Sequence, residues 1–209
     1  MIVKFDHITY TCATAYEDDV KNMLPQYKVK FKEKNLFNIE IKNELMNKKQ
    51  KYHNITMLYK DKGLPIELTT YDSCEVDSNV FNLSDTVISI NTANKEKTEI
   101  LLSDLGFNKE TNNSDRWVLH PILDNVDILV EIKENNSEVI SYLDANGFTS
   151  IAFIVINSSK YRQRLLKLGY QVSEINQLIV NNKELSIFFL IGYSGEIIEF
   201  ISIKNNEGI

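Results

Sequence analysis

Glycine is scarce in this chain, with seven in 209 residues. A loop that cradles phosphate needs bare backbone, so this scarcity argues against one, and no Gly-x-x-x-x-Gly-Lys-Ser/Thr occurs. Gly-x-Ser-x-Gly and His-Glu-x-x-His are missing too, which removes the common serine-hydrolase and zinc-protease signatures. Cysteine occurs twice, as Cys12 and Cys74, with no Cys-x-x-Cys. That excludes a disulfide framework and points to a reducing, cytoplasmic setting. No apolar run approaches the ~18 residues of a membrane span, and Met1–Tyr10 has no apolar stretch of the signal-peptide kind. A basic block is also lacking. With 23 Lys and Arg against 29 Asp and Glu, the net charge is −6, which disfavours nucleic acid as a partner.

What is present is an alternation of strand and helix periods. Ile2 to Thr11 is rich in β-branched and aromatic residues and reads as a strand. Thr14 and Glu17 form a candidate capping box. Tyr16, Val20, Met23 and Leu24 share one helical face, which Pro25 ends. Strand-like runs follow at Lys28–Lys34, Ile55–Lys60 and Leu64–Tyr71. The pattern restarts with a strand at Thr86–Thr92, a helix at Lys95–Leu105 and strands near Arg116–Ile122 and Asp127–Lys133. A third round has a strand at Thr149–Ile156, a helix at Lys160–Leu168 and strands near Gln177–Val180, Leu185–Tyr193 and Glu196–Ile203.

The three rounds keep register. Ile8 to Tyr27, Ile88 to Phe107 and Ile151 to Tyr170 are each 19 residues apart. Each round also closes on an aliphatic-Glu-apolar triplet: Ile66-Glu67-Leu68, Val130-Glu131-Ile132 and Ile198-Glu199-Phe200. Repetition of this kind predicts an α/β (α+β) chain of repeated βαβββ modules. Their expected bounds are 1–73, 84–133 and 147–205. The first round carries extra residues in 31–54, dense in Lys, Asn and Glu, which read as a surface loop or lid.

Asp6-His7-Ile8 on a first strand, helices ending in Leu-Gly-Phe/Tyr, and Gly195-Glu196-Ile197-Ile198-Glu199-Phe200 at the close resemble the vicinal-oxygen-chelate modules of glyoxalase, bleomycin-resistance and dioxygenase proteins. In that family two modules pair into a cup, with metal ligands on first and fourth strands. The resemblance implies His7 and Glu67 as ligands, with Glu199 or Glu131 as a third. Side-chain alternation agrees: Ile8 and Tyr10 would face the helix, leaving His7, Thr9 and Thr11 facing the cup. Glu67, Thr69 and Tyr71 would face it from the fourth strand, and Thr9, Thr69 and Tyr71 are the expected ligand-binding residues. A carboxylate inside an apolar strand is costly to bury unless it is paired or ligating.

One imidazole and carboxylate oxygens suit a single divalent ion, Mn, Fe, Zn or Ni without distinction. The other first-strand positions hold Val87 and Ser150, so the set departs from the family's four ligands. The only other histidines, His53 and His120, fall at third-strand positions, which disfavours dioxygenase chemistry; both read as surface or loop residues, and Trp117 reads as core. The resemblance therefore implies a metal-dependent enzyme acting on a small oxygenated molecule, of isomerase, lyase or resistance-type transferase chemistry. The alternative is a metal-free protein that binds and sequesters an antibiotic or toxin, with no cofactor. Three modules leave one unpaired. That predicts a homodimer, with no membrane or nucleic-acid partner.

Overall fold

The computed structural model describes residues 1–72, 74, 86–123, 127–134 and 142–204. The expected boundaries at 73, 84 and 205 lie outside them. In chain order the elements are β1 (Ile2–Ala13), a 3-10 turn (Thr14–Tyr16), α1 (Glu17–Asn22), β2 (Lys28–Phe37), α2 (Glu40–Glu44), β3 (Tyr52–Tyr59) and β4 (Ile66–Tyr71). There follow β5 (Val87–Thr92), α3 (Lys95–Leu105), β6 (Asn108–Lys109), β7 (Arg116–Leu119) and β8 (Ile128–Glu134). Last come β9 (Gly147–Val155), α4 (Ser158–Lys167), β10 (Gln171–Val172), β11 (Asn176–Val180), β12 (Lys183–Ile191) and β13 (Ile197–Ile203).

The fold is mixed α+β and mostly sheet. A nine-stranded sheet runs β10-β12-β13-β9-β1-β4-β3-β2, with β11 paired to β12. A second sheet runs β5-β8-β7-β6. Three times a first strand lies parallel to the last strand of its group: β1 with β4, β9 with β13, and β5 with β8. The helix after each first strand carries the chain across one face, and antiparallel returns bring the last strand back beside the first. The first and third groups join through their first strands, β1 antiparallel to β9, with Ile8 opposite Ile151.

Helix ends follow local chemistry. Asn94 and Asn157 cap α3 and α4 by accepting from the amides of Lys97 and Lys160. Gly106, at φ 99°, terminates α3 in a left-handed conformation that suits a residue without Cβ. The Thr14–Glu17 capping box does not form. Thr14 Oγ1 donates instead to Asp72 Oδ1 at 2.9 Å, and Glu17 Oε1 accepts from Lys32 Nζ and Thr56 Oγ1. Long-range partners outcompeted the local cap.

One apolar cluster spans both sheets. Ile8, Ile66, Phe153 and Phe200 of the large sheet pack with Val20 of α1 and Leu165 of α4. Ile88, Ile90, Leu101, Phe107 and Trp117 of the second group join the same cluster, and Phe107 meets Phe153 edge-on at 6.1 Å. Polar ties add to this contact. Leu123 N donates to Val3 O at 2.9 Å, Tyr170 OH to Asp104 Oδ2 at 2.6 Å, and Thr98 Oγ1 to Glu196 Oε1 at 2.7 Å. The helix side of the second group is thus covered within the chain.

The opposite face of the large sheet is roofed by the segment expected as a loop or lid. That segment is ordered differently from the expectation. It lengthens the β2–β3 hairpin and adds α2, whose neighbours Leu45 and Met46 pack on Tyr71, Ala152, Phe189 and Ile201. The buried Asp144 fixes this roof, accepting from the amides of Asn47 and Lys48 at 2.7 and 2.9 Å. Apolar residues, sparse among the Lys and Asn of this stretch, are enough to fold it down once a facing sheet exists.

Candidate functional site

The site begins with an irregularity in β1. Phe5 pairs with Phe153, and His7 pairs with the very next residue on β9, Ala152. The extra residue is Asp6, so β1 carries a bulge there. Phe5 and Ile8 both point into the apolar cluster, and the two residues between them both turn to the other face. The bulge therefore sets Asp6 beside His7, and Asp6 Oδ2 lies 2.8 Å from His7 Nδ1. Across the β1–β4 pair, Glu67 Oε2 is 3.6 Å from His7 Nε2. Glu67 Oε1 accepts from Thr69 Oγ1 at 2.9 Å. The imidazole is 2 % exposed and sits between two carboxylates.

Burial alone would lower the His7 pKa. The Glu67 charge and the Asp6 hydrogen bond outweigh it and raise the ring to about 9. Burial raises Asp6 as well, but the His7 contact and charge bring it below its ordinary value. Glu199 stands on β13 and faces the same space. Burial raises its pKa against the opposing charges of Lys42 and His7. The site thus holds a cationic imidazole and a carboxyl group biased toward its neutral form.

These groups floor a cavity of about 410 Å³ between the two halves of the large sheet, within the range of small-molecule sites. Its walls are apolar: Phe31, Leu36, Ile55 and Met57 from the β2–β3 hairpin, Leu178 and Ile201 from the other half. The two halves meet over it where the backbone N–H of Asn181 donates to Glu33 of β2. Asn181 and Asn182 both have positive φ, 48° and 59°. They form the two-residue turn of the β11–β12 hairpin, for which Asn is suited.

His7, Glu67 and Glu199 come together on this floor. Glu131 stands apart in the second sheet, 3.7 Å from Arg116 Nε and 3.7 Å from Lys133 Nζ. Thr9, Thr69 and Tyr71 surround a void of about 10 Å³ behind Glu67 and Glu199 rather than the main cavity. Trp117 is core, and His120 lies at the surface against Asp127 at 2.6 Å.

Sequence reasoning missed three residues. Asp6 was lost to strict strand alternation, which the bulge breaks. Lys42 lay in the stretch read as a loop. His53 was read as surface or loop, yet it is 4 % exposed, faces the cavity, and neither ring nitrogen has a hydrogen-bond partner among the described residues. Burial and the Lys42 charge lower its pKa to about 2, offset in part by the Leu36 backbone. One signal was available: His53, Ile55 and Met57 alternate in the period of a strand.

The resemblance implies a divalent ion here, and the donors test that. His7 has its Nδ1 anchored on a carboxylate and its Nε2 without a hydrogen-bond partner, an arrangement seen in metal-binding histidines. Against it, no three His, Cys, Asp or Glu side chains among the described residues converge as metal donors. The Lys42 charge also acts on Glu199, and His7 would have to lose its proton to ligate. As placed, His7 and Glu67 are a pair and not a three-ligand site.

No family model matches the chain, and no curated protein does. Solved structures of the glyoxalase/bleomycin-resistance/dioxygenase fold resemble it. A Bacillus subtilis protein provisionally named a dioxygenase aligns over 98% of this chain and 63% of its own, with 12% identity and a TM-score of 0.44. This chain therefore spans less than two thirds of that one. A hypothetical protein from Bacillus halodurans aligns over 99% and 98%, with 13% identity and a TM-score of 0.46. A glyoxalase/bleomycin resistance protein/dioxygenase from Alicyclobacillus acidocaldarius aligns over 62% and 94%, with 13% identity and a TM-score of 0.41. At such identities the likeness concerns fold alone.

Proposed function

We propose that the chain binds a small oxygenated molecule in the cavity floored by His7, Glu67 and Glu199, without a resident metal. The observation that carries this reading is a preformed cavity of about 410 Å³ with a polar floor of His7, Glu67 and Glu199 and apolar side walls. Apolar walls supply affinity, and a few placed polar groups supply orientation. His7, raised to about 9, and Glu199, whose pKa burial raises, are biased toward hydrogen-bond-donating forms, which favours a carbonyl, hydroxyl or ether oxygen. Sequestration of a small molecule follows directly from such a site.

The second reading is a divalent-metal enzyme of lyase or isomerase type. The Asp6-anchored imidazole with a free Nε2 facing Glu67 favours it. Elemental analysis of protein purified without chelator separates the two. We expect no stoichiometric metal and no change in melting temperature on chelation. Stoichiometric Mn, Fe, Zn or Ni, lost in His7→Ala, overturns the first reading in favour of the second.

We also infer a homodimer through the outer face of the second sheet, where Val87, Val118 and Leu129 are only half-buried. Sedimentation at micromolar concentration is expected to give a species of twice the 24.2 kDa chain mass. A single species at the chain mass at every concentration rules the dimer out.

A further inference from the structure

The two ends of the cavity differ in charge. At one end the start of β1, the ends of β3 and β13 and the starts of β2 and β12 converge, because Lys4 pairs with Ile154, Ile154 with Ile201, and Leu185 with Ile203. Lys4, Lys30 and Lys183 line this end, and all three are exposed. None of the three forms an ion pair among the described residues. Other lysines of the chain do, as Lys21 with Asp18, Lys32 with Glu17 and Lys109 with Glu99. The opposite end is closed by half-buried Lys42 and buried His53.

In an acidic chain, three ammonium groups without an ion pair at one mouth form a local positive field, and Asp6 answers it only in part, through the charges of Lys4 and Lys30. That carboxylate is hydrogen-bonded to His7 at 2.8 Å. Behind the mouth the walls are apolar, with Phe31, Met57 and Ile201 in line. A charged head that stays near water with an apolar body directed inward satisfies both surfaces, whereas a fully apolar ligand would leave the lysines without a partner.

We propose that the cavity takes a small amphipathic anion, with its oxyanion head among Lys4, Lys30 and Lys183 and its apolar body along the walls toward His53. This rests on the binding reading above and names its ligand class. Carboxylate and phosphate heads share the required chemistry. Octanoate, octyl phosphate, 1-octanol and octylamine are the probes, titrated calorimetrically against the full chain. Both anions are expected to bind about tenfold more tightly than 1-octanol, as three partly solvated charge contacts allow, and octylamine most weakly. Added salt is expected to weaken the anions and leave 1-octanol unchanged.

Substituting Lys4, Lys30 and Lys183 together by Gln is expected to erase the preference for the anions and keep 1-octanol binding. These side chains are exposed, so folding is spared, and retained 1-octanol binding verifies it. Equal binding of 1-octanol and octanoate overturns the anion proposal and leaves the binding reading standing. Loss of the preference in His7→Gln but not in the lysine variant places the head on the floor and overturns it too. If none of the four probes binds, the binding reading itself fails, and the proposal with it. Binding of one anion and not the other assigns the head group within the proposed class.

Discussion

Glu67→Ala is expected to lose about 2–4 kcal/mol of stability near pH ~6 and much less near pH ~9.5, measured by urea denaturation. The reason is the buried pairing of His7 with Glu67 at 3.6 Å and with Asp6 at 2.8 Å. Burial opposes the charge on His7, but the two carboxylates raise its pKa to about 9, whereas an unfolded histidine titrates near ~6.5. A pKa raised in the folded state means that the folded state binds the extra proton. The stabilisation is therefore complete below pH ~6.5 and disappears as pH rises through about 9. Removing Glu67 leaves the imidazole in an apolar setting with one partner fewer, so the loss is largest where the ring is charged.

Glu199 adds a slope of the same sign, since burial raises its pKa and its neutral form is the one the fold favours. His7→Gln separates the two, because it removes the histidine contribution and keeps that of Glu199. Identical pH profiles for the wild type, His7→Gln and Glu67→Ala would show that no charged pair is buried here.

Phe153→Ala is expected to cost about 3–5 kcal/mol and to keep a single unfolding transition. Phe153 is 1 % exposed and lies where the two sheets meet. Its ring touches Phe5 at 5.9 Å, Phe107 at 6.1 Å and Phe200 at 6.2 Å. Phe107 belongs to the second group, so truncation opens a cavity shared by both sheets. Because the core is continuous, loosening one side removes contacts of the other, and both unfold together. Circular dichroism and tryptophan fluorescence monitor the two parts, since Trp117 is the only tryptophan and lies in the second group. A fluorescence transition at a different urea concentration from the circular-dichroism transition would show the second group to be an independent domain.

Much of the architecture was legible because periodicity is a local property. Lys95–Leu105 reads as a helix from the spacing of Leu101, Leu102 and Leu105, and Gly106 marks its end. His7 and Glu67 were found for the same reason, as polar residues set into apolar strands on the face that alternation turns away from the helices. Their approach to one another across parallel strands then follows from the pairing of Thr9 with Glu67.

What the sequence by itself determined is therefore the set of strand-helix-strand rounds, the side of each strand that meets the helices, and the polar residues left on the other side. Tertiary structure alone decided which rounds share a sheet, and so that Glu199 and not Glu131 shares the cavity with His7. It also decided the bulge that swings Asp6 beside His7, the descent of residues 38–51 onto the sheet, and the burial of His53. The physical reason is range. Alternation and capping act over a few residues, whereas each of these outcomes depends on contacts between residues distant in the chain. A Lys- and Asn-rich segment folds down only once a facing apolar surface has formed.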